Sequence, residues 1–309
     1  MSIWAYILST LQAAIPAGTP LLYGTLGEIT AERSGVVNLG VEGMMIMGAV
    51  TAFGVSLATG NVGIAIIAAA LVGGLLALIH GFASINLRVN QVVSGLALTM
   101  LGQGISGIIG KQFIGMPPRA QLKPVPIPGL SDIPVLGPLL FQHDLLAYIA
   151  LLLVPVLWFL FYKTRWGINL RSVGESPATA DAMGVNVFQV RYLAVFFGGL
   201  MAGIGGAYLS IVYTPAWIEG MTAGIGWIVI ALTIFAMWDP VRGLLGAYLF
   251  GSMRVLQYRL QDLGISPPLL NMLPFALTIL VLMLSAGEAI RKRLGAPAAL
   301  MQPYTREER

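Results

Sequence analysis

The chain has 309 residues, 57% of them hydrophobic and only 10% charged, with a mean hydropathy of +0.84 and a formal net charge of +4. A soluble domain carries about 25% charged residues, so this composition excludes an ordinary aqueous fold and places the chain in lipid. With no cysteine and two histidines, a disulfide framework, a thiol nucleophile and a cysteine-zinc site are excluded, and little is left for metal ligation or a catalytic triad.

Uncharged runs recur at roughly the 20 residues a helix needs to cross a bilayer, and the alternation of a β-barrel is missing. The expectation is an all-α integral membrane protein, a single transmembrane domain over 1–309 built as a polytopic bundle of about nine helices. The candidate spans lie near residues 4–26, 35–58, 62–86, 91–110, 144–162, 191–213, 224–238, 241–260 and 268–286. No basic segment precedes the first and no convincing small-residue cleavage pattern follows it, so it reads as a retained helix rather than a signal peptide. Residues 43–87 lack Asp, Glu, Lys and Arg, too long a run for one span, and "ATGNVG" at 58–63 supplies the dividing turn.

Orientation follows from the Lys/Arg bias of the loops. With the C-terminus in the cytoplasm, Lys111, Arg119, Lys123, Arg254 and Arg259 fall outside, and the other twelve of the 17 basic residues, among them Arg33, Arg191, Arg291, Lys292, Arg293 and Arg309, fall inside. Arg254 and Arg259 interrupt the eighth span and must snorkel outward or face protein. The outer segment 112–143 is so rich in proline that it reads as extended and surface-lying. The inner segment 163–190 is built to carry a short helix: Ser176 can cap it, Pro177 suits its first position, residues 178–183 propagate it and Gly184 stops it.

The chain has no ATP-hydrolysis motif, since Gly110-Lys111-Gln112 lacks the earlier glycine and the Ser/Thr of a phosphate-binding loop. Past Glu42 the spans are almost free of ionisable residues, which weakens the case for an ion-coupled carrier. Gly199 and Gly203 have the spacing that lets helices approach closely. Polar side chains at the fourth span, Asn90, Gln91, Ser94, Thr99 and Gln103, either line a hydrophilic path or satisfy neighbouring helices. Tyr213, Trp217 and Trp227 fit an interfacial belt or a stacking platform for a ligand. Glu42 follows Asn38 by four residues, the same face if that stretch is helical. Its carboxylate needs Arg33 or a watered cavity, so it is either structural or pathway-lining.

Three stretches carry a resemblance. "GEITAERSGVVNLGVEGMMIMGA" (27–49), "WGINLRSVGESPATADAMGVNV" (166–187) and "GISPPLLNMLPFALTILVLM" (264–283) together resemble permease subunits of nucleoside ATP-binding-cassette (ABC) importers, in the group that also serves simple sugars and branched-chain amino acids. The resemblance implies the ABC importer permease fold, with a cytoplasmic turn at 28–35 joining two helices. Asn38, Glu42, Asn90, Gln91, Ser94, Thr99 and Trp227 are the expected pathway residues. Gly174, Glu175, Ser176, Pro177, Ala180, Met183 and Gly184 are the expected contacts to the ATPase. It also implies that the chain is no enzyme and holds no cofactor, ATP and Mg being bound by a partner ATPase. A second homologous permease, an extracytoplasmic binding protein or lipoprotein, a nucleoside substrate and the lipid bilayer complete the expected partners, with no nucleic acid. The expected location is a bacterial cytoplasmic (inner) membrane. The alternatives are the same machinery carrying a simple sugar and a stand-alone secondary carrier. No catalytic constellation supports an intramembrane enzyme.

Overall fold

The computed structural model describes residues 3–261, 266, 269–270, 272–285 and 296–306. Among these there is no β-strand. The helices are α1 (Ile3–Arg33), α2 (Val41–Thr59), α3 (Val62–Gly81), α4 (Gln91–Gly110), α5 (Leu136–Leu140), α6 (Leu145–Lys163), α7 (Arg165–Glu175), α8 (Pro177–Ala182), α9 (Val187–Tyr208), α10 (Ile225–Phe235), α11 (Pro240–Leu260) and α12 (Leu273–Ser285). A π turn prolongs α3 through Phe82–Asn86 and another prolongs α9 through Leu209–Tyr213.

Side-chain oxygens start most of the long helices. Asn61, Asn90, Asp144, Thr164, Ser176, Asn186 and Asp239 each accept a first-turn N–H, at α3, α4, α6, α7, α8, α9 and α11. By contrast, α2 and α10 begin at Gly40 and Gly224 with no side-chain cap of their own.

Within a bilayer, helices associate by close packing rather than by leaving water, and glycine sets the distances here. α9 runs through the centre between α1, α2 and α3. A Cβ on Gly73 of α3 would stand 2.9 Å from the Cα of Gly203, and one on Gly48 of α2 would stand 2.5 Å from the Gly203 carbonyl oxygen. The Gly199/Gly203 pair thus serves as a packing seam. α1 and α11 close on each other in the same way at Gly18 and Gly251. Gly48→Ala is expected to destabilise the purified chain by about 1–3 kcal/mol, because the obstructing atom is backbone and cannot rotate away. Thermal unfolding in detergent checks this against Gly104→Ala, where nothing lies within 4 Å and no loss is expected.

Five helical segments are long and apolar enough to cross a membrane: Val41–Thr59, Val62–Asn86, Gln91–Phe113, Leu145–Lys163 and Val187–Tyr213. The expected count of nine is therefore not established. α1 and α11, with 31 and 21 residues, have the length without the apolarity. α10 has 11 residues, about 16 Å of rise against the ~30 Å of a hydrocarbon core. The last expected span, 268–286, lies partly outside the described residues.

Local expectations change in three places. The stretch 28–35 is not a turn: α1 continues to Arg33, because Glu28 and Glu32 are buried in protein contacts, and the connection to α2 is Ser34–Gly40. Asn38 and Glu42 consequently do not share a helix face; Asn38 is non-helical, and its Oδ1 accepts the N–H of Gly40 at 3.0 Å. Segment 163–190 holds two helices rather than one, since Thr164 caps α7 before Ser176 caps α8.

The basic residues sort to two ends of the bundle. Arg33, Lys163, Arg171 and Arg191 gather at one, through Tyr162, Trp158 and Ser34. Arg119 reaches Leu57, Arg259 reaches Ser9 and Thr10, and Arg254 lies over the Tyr213 ring at the other. Arg254 and Arg259 of α11 thus face protein. Arg291, Lys292, Arg293 and Arg309 lie outside the described residues.

Candidate functional site

α10 is too short to cross, so its N-terminus opens inside the bundle, and the start of α2 meets it there. Gly40 and Gly43 pack on Leu98 and Thr99, seven or eight residues into α4 and about 10–12 Å beyond its start. Two helix N-termini, each with unpaired N–H groups and a positive dipole end, therefore converge at depth. Glu42 resolves the conflict. Its Oε1 accepts from Thr222 Oγ1 at 2.5 Å and Gly224 N at 3.1 Å, and its Oε2 accepts from Gly226 N at 2.6 Å. The carboxylate is 1% exposed and caps α10 from another helix. Arg33, its expected partner, instead donates to the Trp238 carbonyl and the Tyr162 hydroxyl at the basic end. The fit leaves no slack: a Cβ on Gly226 would stand 2.6 Å from the Glu42 Cα. Irregular backbone within a membrane protein is tolerated where protein buries it or where it lines a cavity, and discontinuous helices mark solute sites in many transporters.

Such a cavity is present. A space of about 250 Å3 lies against the start of α10, between Thr222, Ile225 and Ile228 on one side and Arg254, Gln257 and Tyr258 of α11 on the other, with Pro274 of α12 beside them. Arg254 is held over the Tyr213 ring, 5.5 Å from its centroid, and its Nη1 is buried with no hydrogen-bond partner among the described residues. Tyr258 is 54% exposed. Gln257 and Tyr258 escaped the sequence reading, which left Arg254 and Arg259 either to snorkel outward or to face protein.

Of the expected pathway residues, Asn38, Gln91, Ser94 and Thr99 gather around Ser34–Gly40. Gln91 Oε1 accepts from Val37 N at 2.8 Å, and Thr99 Oγ1 donates to the Leu39 carbonyl at 2.9 Å. His80 Nε2 donates to the Val37 carbonyl at 2.9 Å, which leaves Nδ1 to accept from the Ser94 hydroxyl at 3.1 Å. A carbonyl can only accept, and that fixes the tautomer. Here these side chains satisfy an extended backbone buried among helices. His80 was the missed member; a histidine in a charge-free span was the available signal. Asn90 caps α4 at the surface, Gln103 is exposed, and Trp227 is 38% exposed on the first turn of α10. Trp217, expected in an interfacial belt or as a stacking platform, is 3% exposed and packs on Gly110.

At the basic end a second arrangement forms. Glu32 accepts from Trp238 Nε1 at 2.6 Å, and the Tyr162 hydroxyl donates to Asp239 at 3.1 Å. These bonds hold Met237 and Trp238, both at positive φ, between α10 and α11. Ser176 Oγ meets the Thr179 hydroxyl at 2.7 Å, Pro177 is the first residue of α8, and Gly184 turns the chain at φ 86°. Glu175, Met183 and Gly184 are exposed, whereas Gly174 and Ala180 are buried. The final described segment crosses this end as a strap. Ala299 N donates to the Gly174 carbonyl at 2.8 Å and Met301 N to the Gly35 carbonyl at 3.2 Å. Buried Arg191 donates to the carbonyls of Ser34 and Gln302, Tyr304 packs on Phe188, and Arg306 pairs with Asp181. Nothing in the residue pattern of 296–306 announced this docking.

Relatives bear on this geometry. The chain is 42% identical to the putative glucose ABC transporter permease protein TsgC13 of Haloferax volcanii, covering 98% of this chain and 99% of that one. It is 36% identical to the guanosine ABC transporter permease protein NupQ of Bacillus subtilis over 98% and 99% of the two chains. It is 32% identical to the nucleoside ABC transporter permease protein NupC of Lactococcus lactis over 92% and 95%. No solved structure matches it. The pattern described as branched-chain amino acid transport system / permease component matches residues 10–282. That match takes in the Glu42 junction, the α10–α11 cavity and the α7–α8 segment together, and the chain belongs to this permease family.

Proposed function

We propose that this chain is the transmembrane subunit of an ABC importer and forms the translocation path for nucleosides in a bacterial cytoplasmic membrane. The observation that carries the reading is the chemistry of the cavity beside α10. Tyr258 offers a ring, Arg254 offers a donor, and among the described residues no carboxylate lines it; Glu42, the nearby acid, is engaged by α10. A nucleoside base presents a flat face and an acceptor edge, which suit a ring and a guanidinium, whereas a sugar site is richer in carboxylates and amides, of which the described lining holds Gln257 alone. The names of the Bacillus and Lactococcus relatives support the nucleoside reading. The name of the Haloferax relative supports a sugar as the second reading.

A separate ATPase holds ATP and Mg. It docks on the exposed residues of α8 and its flanks, a second homologous permease completes the path, and a binding protein or lipoprotein delivers substrate at the end opposite the basic one. Gly184→Pro is expected to uncouple ATP hydrolysis from uptake without unfolding the spans, because proline cannot adopt φ 86°; Glu175→Arg should act likewise by reversing a surface charge. Parallel assays of ATPase activity and uptake check both variants, and unaltered uptake would remove α8 as the docking element.

The test of cargo is ATP-dependent uptake of labelled guanosine, uridine, ribose and glucose into vesicles holding the complete complex. Nucleoside uptake alone is expected, with Tyr258→Ala lowering it about tenfold, the order of one lost base–ring contact. Uptake of the sugars alone would keep the importer and discard the nucleoside. Uptake by the isolated chain without an ATPase would instead make it a secondary carrier.

A further inference from the structure

We infer that the groove between α6 and α9, closed by α7, is a binding site for one anionic phospholipid. The site is independent of the cargo. Its walls are Leu157 and Leu160 of α6 and Leu193, Phe196 and Leu200 of α9, and Trp166 of α7 closes one end, enclosing about 350 Å3. The lining is apolar throughout. Leu193, Phe196 and Leu200 follow the i, i+3, i+7 spacing of a single helix face, so the groove runs along α9 in the direction an acyl chain takes across a leaflet. Trp166 is fixed by stacking on Phe161 at 6.1 Å between centroids, which gives the groove a definite end at the basic side of the bundle.

The charges at that end select the headgroup. Lys163 lies three residues beyond Leu160, on the same face of α6, and its Nζ is 5.9 Å from the Trp158 ring centroid. Arg165 directly precedes Trp166; both cations are exposed. α6 and α9 contain no acidic residue, and the one acid of α7, Glu175, is ten positions from Arg165, about 15 Å along the helix. A groove for a chain, a tryptophan at its mouth and two exposed cations beside it match a lipid with a net negative headgroup. A zwitterionic lipid would fill the groove equally well and gain less from Lys163 and Arg165, because its own ammonium offsets its phosphate.

The test is native mass spectrometry of the whole complex released from discs of equimolar phosphatidylglycerol and phosphatidylcholine. Phosphatidylglycerol is expected to be retained at least tenfold over phosphatidylcholine. The double variant Lys163→Gln, Arg165→Gln should abolish that preference, and Leu193→Trp should lower retention of both lipids by filling the groove. Equal retention by the unaltered complex, or a preference that survives the double variant, overturns the inference. So does a cross-link from Leu193→Cys, the sole thiol in that variant, to a second permease chain, which would make the groove a protein interface.

Discussion

Replacing Glu42 with alanine is expected to lower the stability of the chain by about 3 kcal/mol or more, because two buried donors and a half-buried one lose their acceptor and each buried one costs about 1–3 kcal/mol when left unmade. Against the 5–15 kcal/mol typical of a folded domain this is a large fraction. The donors are the Thr222 hydroxyl and the N–H groups of Gly224 and Gly226, and the small space at Gly226 leaves no room for another side chain to replace the carboxylate. Uptake should fall more than tenfold, since the cavity beside α10 loses its wall. Glu42→Gln keeps one acceptor but turns an amide donor toward an N–H, so it should lie between the two. Thermal unfolding and uptake measured on the same preparations separate the roles left open by the sequence. A Glu42→Ala chain that unfolds like the parent yet fails to transport would make Glu42 a pathway group and not a cap.

Deleting residues 297–309 is expected to leave ATPase activity in the complex while reducing uptake more than tenfold. The strap bonds to Gly174 beside α8 and to Gly35 beside α1, and buried Arg191 braces it from α9. Without it, only the direct packing of Gly174 on the Arg33 backbone still ties α7 and α8 to α1. Its outermost contact, between Arg306 and Asp181, has an arginine side chain 72% exposed, and such pairs contribute about 0–1 kcal/mol. Arg306→Ala alone should therefore change little, and the effect belongs to the backbone bonds. Undiminished uptake by the truncated chain would show that α8 transmits its motion without the strap.

Much of the fold was legible because hydrophobic runs and capping residues are local signals. Asp144, Asn186 and Asp239 stand where the chain enters α6, α9 and α11, and Ser176-Pro177 with Gly184 defined α8 to within a residue. The site was less legible, because its bonds join residues far apart in sequence. Glu42 meets Gly226 and Glu32 meets Trp238, and no periodicity links such positions. The polar residues of α4 were visible as polar, but the partners of Gln91 and Thr99 are backbone groups of Ser34–Gly40, which read as helix because the stretch is apolar. The end of α1 misled for the opposite reason: Glu28, Glu32 and Arg33 resemble a solvated turn in sequence, and only tertiary partners show why they remain helical. α10 was predicted as a span near 224–238; its start at Gly224 holds, and the helix stops at Phe235, before Met237 and Trp238 turn at positive φ.

The shortness of α10 has a mechanical corollary. Its first turn is pinned to α2 through Glu42, and its far end is pinned to α1 through Trp238 and Glu32. α1 and α2 are successive helices with an extended joint between them, so α10 acts as a connecting rod fastened to two separate arms. Any sliding of one arm past the other must tilt the rod, and the tilt changes the width of the space between α10 and α11. A push at the basic end is thereby geared to the mouth of the cavity across half the thickness of the bundle.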